Sequence, residues 1–277
     1  MARELKFESP SFTERLRGML GVDFYRLFNT PLFYIFLAIA AIIPAMILGT
    51  MGMENPNSGM DAGTLYTNVW HIIAAEAPIY TVSDIAEYAN MNMVFIFGGI
   101  MVSIFIGHDY KSGYVKQLFT THAKKQDYMI SKTLTCAFAM ACMCISYLIG
   151  AVGAGLFANI SFEVNPGALI CAILGKMIMS LGWASLYTFL NIIFRKYFGI
   201  SIASSFFFGT GIIIIGAGAI VGDAWEFLLN AFLYGSSVNA CLSSNGLTVL
   251  ICILVSGAWA VIYNVLGTVI LSKCDVY

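Results

Sequence analysis

The hydrophobic pattern divides the chain into long apolar stretches separated by polar connections. A helix that crosses a bilayer needs about 20 mostly apolar residues, because each residue advances the helix by about 1.5 Å. Six stretches meet that length: 32–52, 89–107, 133–157, 170–194, 200–221 and 247–271. The pattern therefore predicts an all-α membrane protein with six transmembrane helices, and we read residues 1–277 as one transmembrane domain.

The connections alternate in charge. Those at 53–88, 158–169 and 222–246 contain no Lys or Arg, whereas thirteen of the fourteen Lys and Arg residues fall on the opposite side. Basic residues close to spans are retained in the cytoplasm. We therefore expect a multi-pass protein of the cytoplasmic membrane with both termini cytoplasmic.

An amphipathic segment precedes the first span. Apolar residues from Phe12 to Phe28 recur at helical spacing, and Ser11 and Glu14 have the spacing of a capping box. Pro31 suits the first turn of the helix that follows. A helix with one charged and one apolar face lies in the membrane interface, so 11–30 is predicted to be a cytoplasmic elbow helix.

A short apolar segment precedes the last span. Residues 223–235 read "DAWEFLLNAFLYG", which is too short to cross a bilayer. We predict a re-entrant segment that dips into the outer leaflet and is shielded by its neighbours. Trp225 and Glu226 within it are candidate substrate or gating contacts.

Composition strengthens the membrane assignment. The chain is 59% hydrophobic and only 10% charged, with a mean hydropathy of +0.83, whereas soluble domains carry about 25% charged residues. The net charge of −1 and the lack of a basic stripe with interleaved aromatics give no indication of nucleic-acid binding. The first twenty residues carry charges where a signal peptide would be continuously apolar.

Residues 107–132, "GHDYKSGYVKQLFTTHAKKQDYMISK", hold five of the fourteen cationic residues. These charges could simply retain the loop in the cytoplasm and bind anionic headgroups. However, Val115, Leu118 and Phe119 also have the spacing of one helix face. A short amphipathic helix followed by a basic turn at Lys124 and Lys125 is suited to docking in a groove of another protein.

The same loop resembles the ABC-2 type permeases, the membrane subunits of ATP-binding-cassette exporters. The resemblance rests on Asp109-x-x-x-Gly113-x-x-x-x-Leu118, then Lys124, then Tyr128-x-x-Ser131-Lys132. Tyr114 stands where the family usually has Thr, Thr121-His122-Ala123 replaces a proline-containing turn, and Lys124 replaces an Arg. The elbow, the six spans and the re-entrant segment are also features of that family, so the resemblance covers essentially the whole chain.

The resemblance implies that the loop contains a coupling helix, on which two separate ATPase subunits push when they bind ATP. It also implies a second permease subunit, in a homodimer or a heterodimer. ATP and Mg²⁺ would be bound by the ATPase partners, with no cofactor in this chain. The implied coupling residues are Asp109, Lys111, Gly113, Lys116, Leu118, Phe119, Lys124, Lys125, Tyr128, Ser131 and Lys132. Asp109 and Lys132 could equally be anchors at the membrane boundary.

The chain offers no motif for chemistry of its own. Gly175-Lys176-Met177 lacks the upstream glycine and the Ser or Thr of a phosphate-binding loop, and no hydrolase or zinc-protease motif occurs. We therefore expect no enzymatic activity in this chain. Lys176 is a further candidate for a substrate or gating contact. It stands about 28 Å of helix before Arg195, so it could instead extend its amine to the outer surface.

The function predicted from the sequence is export of an amphipathic or cationic peptide, or of a hydrophobic small molecule. Eight acidic residues and no Lys or Arg in the outer connections would attract a cation, although solvated loops can be acidic without such a role. The alternatives are an ATP-independent secondary transporter or channel, and a non-transporting sensor or assembly subunit. A secondary transporter usually has inverted repeats and ionisable residues near the midplane, and neither is evident.

Overall fold

The computed structural model describes seven segments of the chain. They are residues 11–51, 82–120, 123–157, 166–195, 197–211, 231–242 and 246–273. Within these segments the chain is helical and forms no strand. The all-helical class predicted from the sequence is therefore confirmed for the described residues.

The helices follow the apolar stretches, with ends that differ by a few residues from the predicted ones. They are α1 (Phe12–Asn29), α2 (Pro31–Met51), α3 (Val82–Lys111), α4 (Tyr114–Thr120), α5 (Lys125–Phe157), α6 (Pro166–Ile193), α7 (Phe198–Gly209), α8 (Leu233–Leu242) and α9 (Gly246–Lys273). Two ends differ by more: α7 ends at Gly209, twelve residues before the predicted end of its span, and α5 begins eight residues before the predicted start. The first two turns of α5 therefore carry polar residues that the sequence assigned to a loop.

Helix α1 begins as the sequence predicts. The Ser11 backbone N–H donates to Glu14 Oε2 (2.8 Å), and the Glu14 N–H donates to Ser11 Oγ (3.4 Å). The bond from the Ser11 backbone N–H, together with one from the Ser11 hydroxyl to the same oxygen (2.9 Å), lowers the pKa of the exposed Glu14 carboxyl. Pro31 opens α2, and the two helices meet at a bend of 65°. The helix and its capping box are confirmed, whereas the position of α1 at a membrane surface remains a prediction.

Three of the described helices are long and apolar enough to cross a membrane. The qualifying segments are Val94–Lys111, Lys125–Ala154 and Gly246–Lys273, and the bent pair of α1 and α2 would supply a fourth. The predicted total of six spans remains a prediction. Part of the predicted span at 200–221, and most of the re-entrant segment at 223–235, lie outside the described residues.

Helix α5 has an extensive set of neighbours. It packs against α1, α2 and α6, while α6 also packs against α9 and α3 packs against α7. The interior contains an aromatic ladder in which Trp183 stacks between Phe95 and Tyr187, at centroid distances of 5.3 and 5.6 Å. In contrast, α9 exposes Leu250, Leu254 and other apolar side chains. Exposed apolar surface of this extent is typical of a lipid-facing helix.

Two glycines bring helices into close contact. A β-carbon added at Gly150 in α5 would overlap the backbone carbonyl of Ala41 in α2, and one added at Gly182 in α6 would overlap the Ser256 side chain in α9. Small residues permit such close approach where helices pack in a membrane.

Replacing Gly150 with Ala tests the α2–α5 contact. Because the added methyl group meets backbone rather than a flexible side chain, α2 must shift, and we expect a loss of about 1–3 kcal/mol in the free energy of unfolding. Gly153→Ala is the matched control, since Gly153 lies in the same helix with open space around it, and it should leave stability unchanged or slightly higher. Unfolding in mild detergent measures both, and equal stabilities would contradict this packing.

A buried charge cluster beneath the basic loop

The centre of the candidate site is an ion pair between the end of α3 and the start of α5. Lys132 Nζ lies 2.6 Å from Asp109 Oδ2, and both side chains are 0% exposed. From the sequence, both residues were predicted to belong to the coupling loop. The alternative prediction was that they anchor the chain at the membrane boundary. Complete burial shows that the two charges face each other rather than solvent or headgroups.

The elbow helix α1 completes the cluster. Lys132 Nζ is also 2.6 Å from Asp23 Oδ1, and the Ser131 hydroxyl donates to Asp23 Oδ2 at 2.7 Å. Arg26 forms a salt bridge with Asp109 Oδ1. Two carboxylates thus meet two cations, so the four formal charges cancel.

The two carboxylates of the cluster meet the requirements for burying charge. Moving an ion out of water costs several kcal/mol, which is offset only when the ion is paired and its remaining hydrogen-bonding positions are filled. Both oxygens of Asp23 and both of Asp109 have partners, and the Tyr128 hydroxyl lies 3.5 Å from Asp109 Oδ2. The two carboxylates therefore satisfy this criterion, whereas the buried Nη1 atom of Arg26 has no hydrogen-bond acceptor among the described residues.

Aromatic rings surround the cations. Lys132 Nζ lies 4.7 Å from the Phe105 ring centre and 5.6 Å from that of Tyr114. The Arg26 guanidinium lies 4.3 Å from the Tyr114 ring, which is within the range of cation–π attraction. Burial raises the pKa of the Tyr114 hydroxyl, and the negative charge of Asp23 raises it further. Tyr114 is one of the three places where the loop departs from the motif that it resembles, and here it joins the short helix to the charge cluster.

A second ion pair joins α1 to α5. Arg15 Nε lies 2.8 Å from Asp127 Oδ2, with Asp127 buried and Arg15 partly exposed. The elbow is consequently held to the start of α5 at two points. Because Arg15 and Asp23 are about two helical turns apart, these contacts fix the direction of α1 as well as its position.

The short helix α4 is packed on one side and open on the other. Val115 is buried in an apolar cluster with Tyr128, Met129, Ile192 and Leu271, and Leu118 and Phe119 are partly buried against it. Gly113, which begins the turn into α4, has a φ of +76°, a left-handed conformation that glycine adopts without strain. The side chains of Lys111, Lys116 and Lys124 are exposed.

The remaining predicted site residues are not part of the charge cluster. Lys125 is half-buried, with Nζ 3.4 Å from the Ser272 carbonyl oxygen at the end of α9. Lys176 is half-buried in α6. Trp225 and Glu226 lie outside the described residues. Within the part of the chain that the structure describes, no group of three or more His, Cys, Asp or Glu residues is placed to hold a metal ion.

Sequence reasoning missed the contribution of α1 to the site. Neither Asp23 nor Arg26 was predicted to belong to the site, yet Asp23 lies four residues from both Met19 and Leu27. That spacing places it on an apolar helix face. An acidic residue on such a face requires a cationic partner, and this signal could have indicated a buried pair without naming Lys132.

Comparison with protein-family models and with curated proteins found no match to this chain.

Removing Lys132 tests whether the cluster acts as a unit. Lys132→Met leaves two buried carboxylates facing one cation, and we expect a loss of about 3 kcal/mol in the free energy of unfolding. Asp23→Asn in the same chain restores the charge balance, because Arg26 still neutralises Asp109. The double variant should therefore be at least as stable as Lys132→Met, with a coupling energy of about 2 kcal/mol.

Lys124→Met is the matched control for this cycle. It removes an exposed Lys from the same region, and we expect a change within about 0.5 kcal/mol. Unfolding titrations in mild detergent measure all four variants. Strictly additive effects of Asp23→Asn and Lys132→Met would contradict the cluster.

Proposed function

We propose that this chain is the permease subunit of an ATP-binding-cassette exporter, driven by separate ATPase subunits and paired with a second permease. The loop motif and its resemblance to the ABC-2 permeases support the family assignment. The proposed mechanism rests on the position of α4. This short helix exposes Lys116 on one side and packs on the other where several long helices meet.

Helix α4 has the form of a docking element. Its outer side presents the exposed Lys116, and Lys124 is exposed in the turn that follows. Its inner side contacts an apolar cluster built from α5, α6 and α9 through Tyr128, Ile192 and Leu271. A partner that binds the exposed lysines would press directly on these three helices.

The charge cluster extends that connection. Tyr114 of α4 contacts Arg26 of α1, Arg26 pairs with Asp109 of α3, and Asp109 pairs with Lys132 of α5. Ion pairs buried in an apolar environment resist separation, because a separated charge would be left without a partner. A push on α4 would accordingly move the adjoining ends of α1, α3 and α5 together.

For the substrate, we propose an amphipathic or cationic peptide, or a hydrophobic small molecule, moved outward. The support comes from the sequence: the connections predicted to lie outside carry eight acidic residues and no Lys or Arg. Such a surface attracts cations through its summed field. Rigid helices rocking at the permease interface would open the pathway alternately to each side.

Purification from the native host in mild detergent tests the function. An ATPase subunit with a phosphate-binding loop, identified by mass spectrometry, should be recovered with this chain. Recovery of the chain without an ATPase would favour an ATP-independent transporter or channel. If an ATPase is recovered but added peptides or drugs never change its rate after reconstitution, the sensor or assembly role is favoured instead.

Reversing the charge at two exposed positions tests the docking side of α4. We expect Lys116→Glu with Lys124→Glu to reduce the recovered ATPase about tenfold, since exposed ion pairs contribute up to about 1 kcal/mol each and two are replaced by repulsion. Lys125 is left unchanged because it contacts the end of α9. The readouts are the ATPase-to-permease ratio and the amount of permease in the membrane.

Lys273→Glu is the control, because Lys273 is an exposed cation at the end of α9 on the side predicted to be cytoplasmic. It should leave the recovered ATPase unchanged. An equal loss in both variants would indicate a general charge effect and contradict a docking role for α4.

A further inference from the structure

A cavity of about 520 Å³ opens between the ends of α3 and α6 and the start of α7. Three basic side chains line it: His108, Lys111 and Arg195. They belong to the side that the charge pattern places in the cytoplasm. Positions 108 and 111 lie on a different face of α3 from Asp109, so the cavity is separate from the charge cluster.

The cavity has a basic lining that no described carboxylate neutralises. Among the residues that the structure describes, His108, Lys111 and Arg195 form no salt bridge. Asp109 is adjacent in sequence, but its charge is offset by Arg26 and Lys132. The lining therefore carries two positive charges, on Lys111 and Arg195, that no carboxylate of the described residues pairs with.

Arg195 supplies the second observation. Its Nη1 atom is buried and has no hydrogen-bond acceptor in the described part of the protein. Arg195 itself lines the cavity, so its guanidinium stands beside that space while it is incompletely paired by the described residues. The guanidinium fork matches the oxygens of a phosphate group, to which it can donate two parallel hydrogen bonds.

The rest of the cavity lining indicates which kind of molecule would bear the phosphate group. Ile104, Phe194 and Phe198 make much of the wall apolar. The polar residues Asn191 and Ser201 are hydrogen-bonded to each other, with the Ser201 hydroxyl donating to Asn191 Oδ1 at 2.7 Å. The other polar side chains of the lining are Tyr110 and the three basic residues, which lie beside an apolar wall that suits hydrocarbon.

We propose that this cavity binds the phosphate group of an anionic membrane lipid, with the start of an acyl chain against the apolar wall. Basic pockets between transmembrane helices on the cytoplasmic side suit such headgroups. The site would bind lipid irrespective of what the protein transports. It does not depend on the proposed ATPase partner.

Lipid retention by the purified full-length protein tests this proposal. Protein is exchanged into detergent micelles that contain phosphatidylglycerol or phosphatidylcholine, and bound lipid is counted by native mass spectrometry. We expect phosphatidylglycerol to bind more tightly than phosphatidylcholine, and an excess of inorganic phosphate to displace little of it. Displacement by inorganic phosphate at modest excess would show a site for free phosphate and overturn the lipid assignment.

Substitutions of the basic residues that line the cavity test whether phosphatidylglycerol binds there. Each Lys or Arg facing an anionic headgroup contributes about fivefold in affinity, so Lys111→Gln with Arg195→Gln should weaken phosphatidylglycerol binding about 25-fold. Lys111→Gln alone should weaken it about fivefold, and it leaves the interior intact because Lys111 is exposed. Lys116→Gln with Lys124→Gln removes the same charge outside the cavity and should retain wild-type binding.

Two results would overturn the proposal. One is equal loss of phosphatidylglycerol in the cavity variants and in the control variant, which would indicate attraction to the whole basic surface. The other is phosphatidylglycerol binding at the wild-type level both in Lys111→Gln and in the double variant Lys111→Gln with Arg195→Gln.

Discussion

Lys132 is held between Asp23 and Asp109, and one end of the described bundle, predicted from the charge pattern to be cytoplasmic, is organised around that interaction. An ammonium group with no exposed surface must be neutralised within hydrogen-bonding distance. The two carboxylates that neutralise it come from different helices, and Arg26 balances the remaining charge. The ends of α1 and α3 and the beginning of α5 are thereby fixed relative to one another.

The buried charge cluster connects the basic loop to the long helices. An isolated helix of seven residues is unstable in water, so α4 depends on the apolar cluster beneath it and on the contact of Tyr114 with Arg26. The exposed lysines are available to a partner, whereas the buried charges link α4 to the long helices. The two groups of charges in the same loop therefore have different environments. This division is the physical basis for proposing that α4 receives force from an ATPase.

Local signals in the sequence predicted several helices. They did not determine which distant side chains pair in the folded chain. The capping box at Ser11 and the proline at 31 identified α1 and the start of α2, because both features act within one helical turn. The start of α5 was placed eight residues late, because Lys125, Asp127 and Lys132 resemble a solvated loop until their partners are known. Asp23 and Lys132 are 109 residues apart, and helical periodicity contains no information about which distant side chain will meet a buried charge.

Hydrogen-exchange mass spectrometry on the purified protein tests the central claim, that the buried cluster joins α1, α4 and α5 into one cooperative unit. Peptides covering the later part of α1, residues 114–120 and residues 125–132 should be protected in the wild-type protein. All three should lose protection together in Lys132→Met, while the middle of α9 stays protected. Rapid exchange of residues 114–120 in the wild-type protein, or loss of protection confined to residues 125–132 in the variant, would contradict the account.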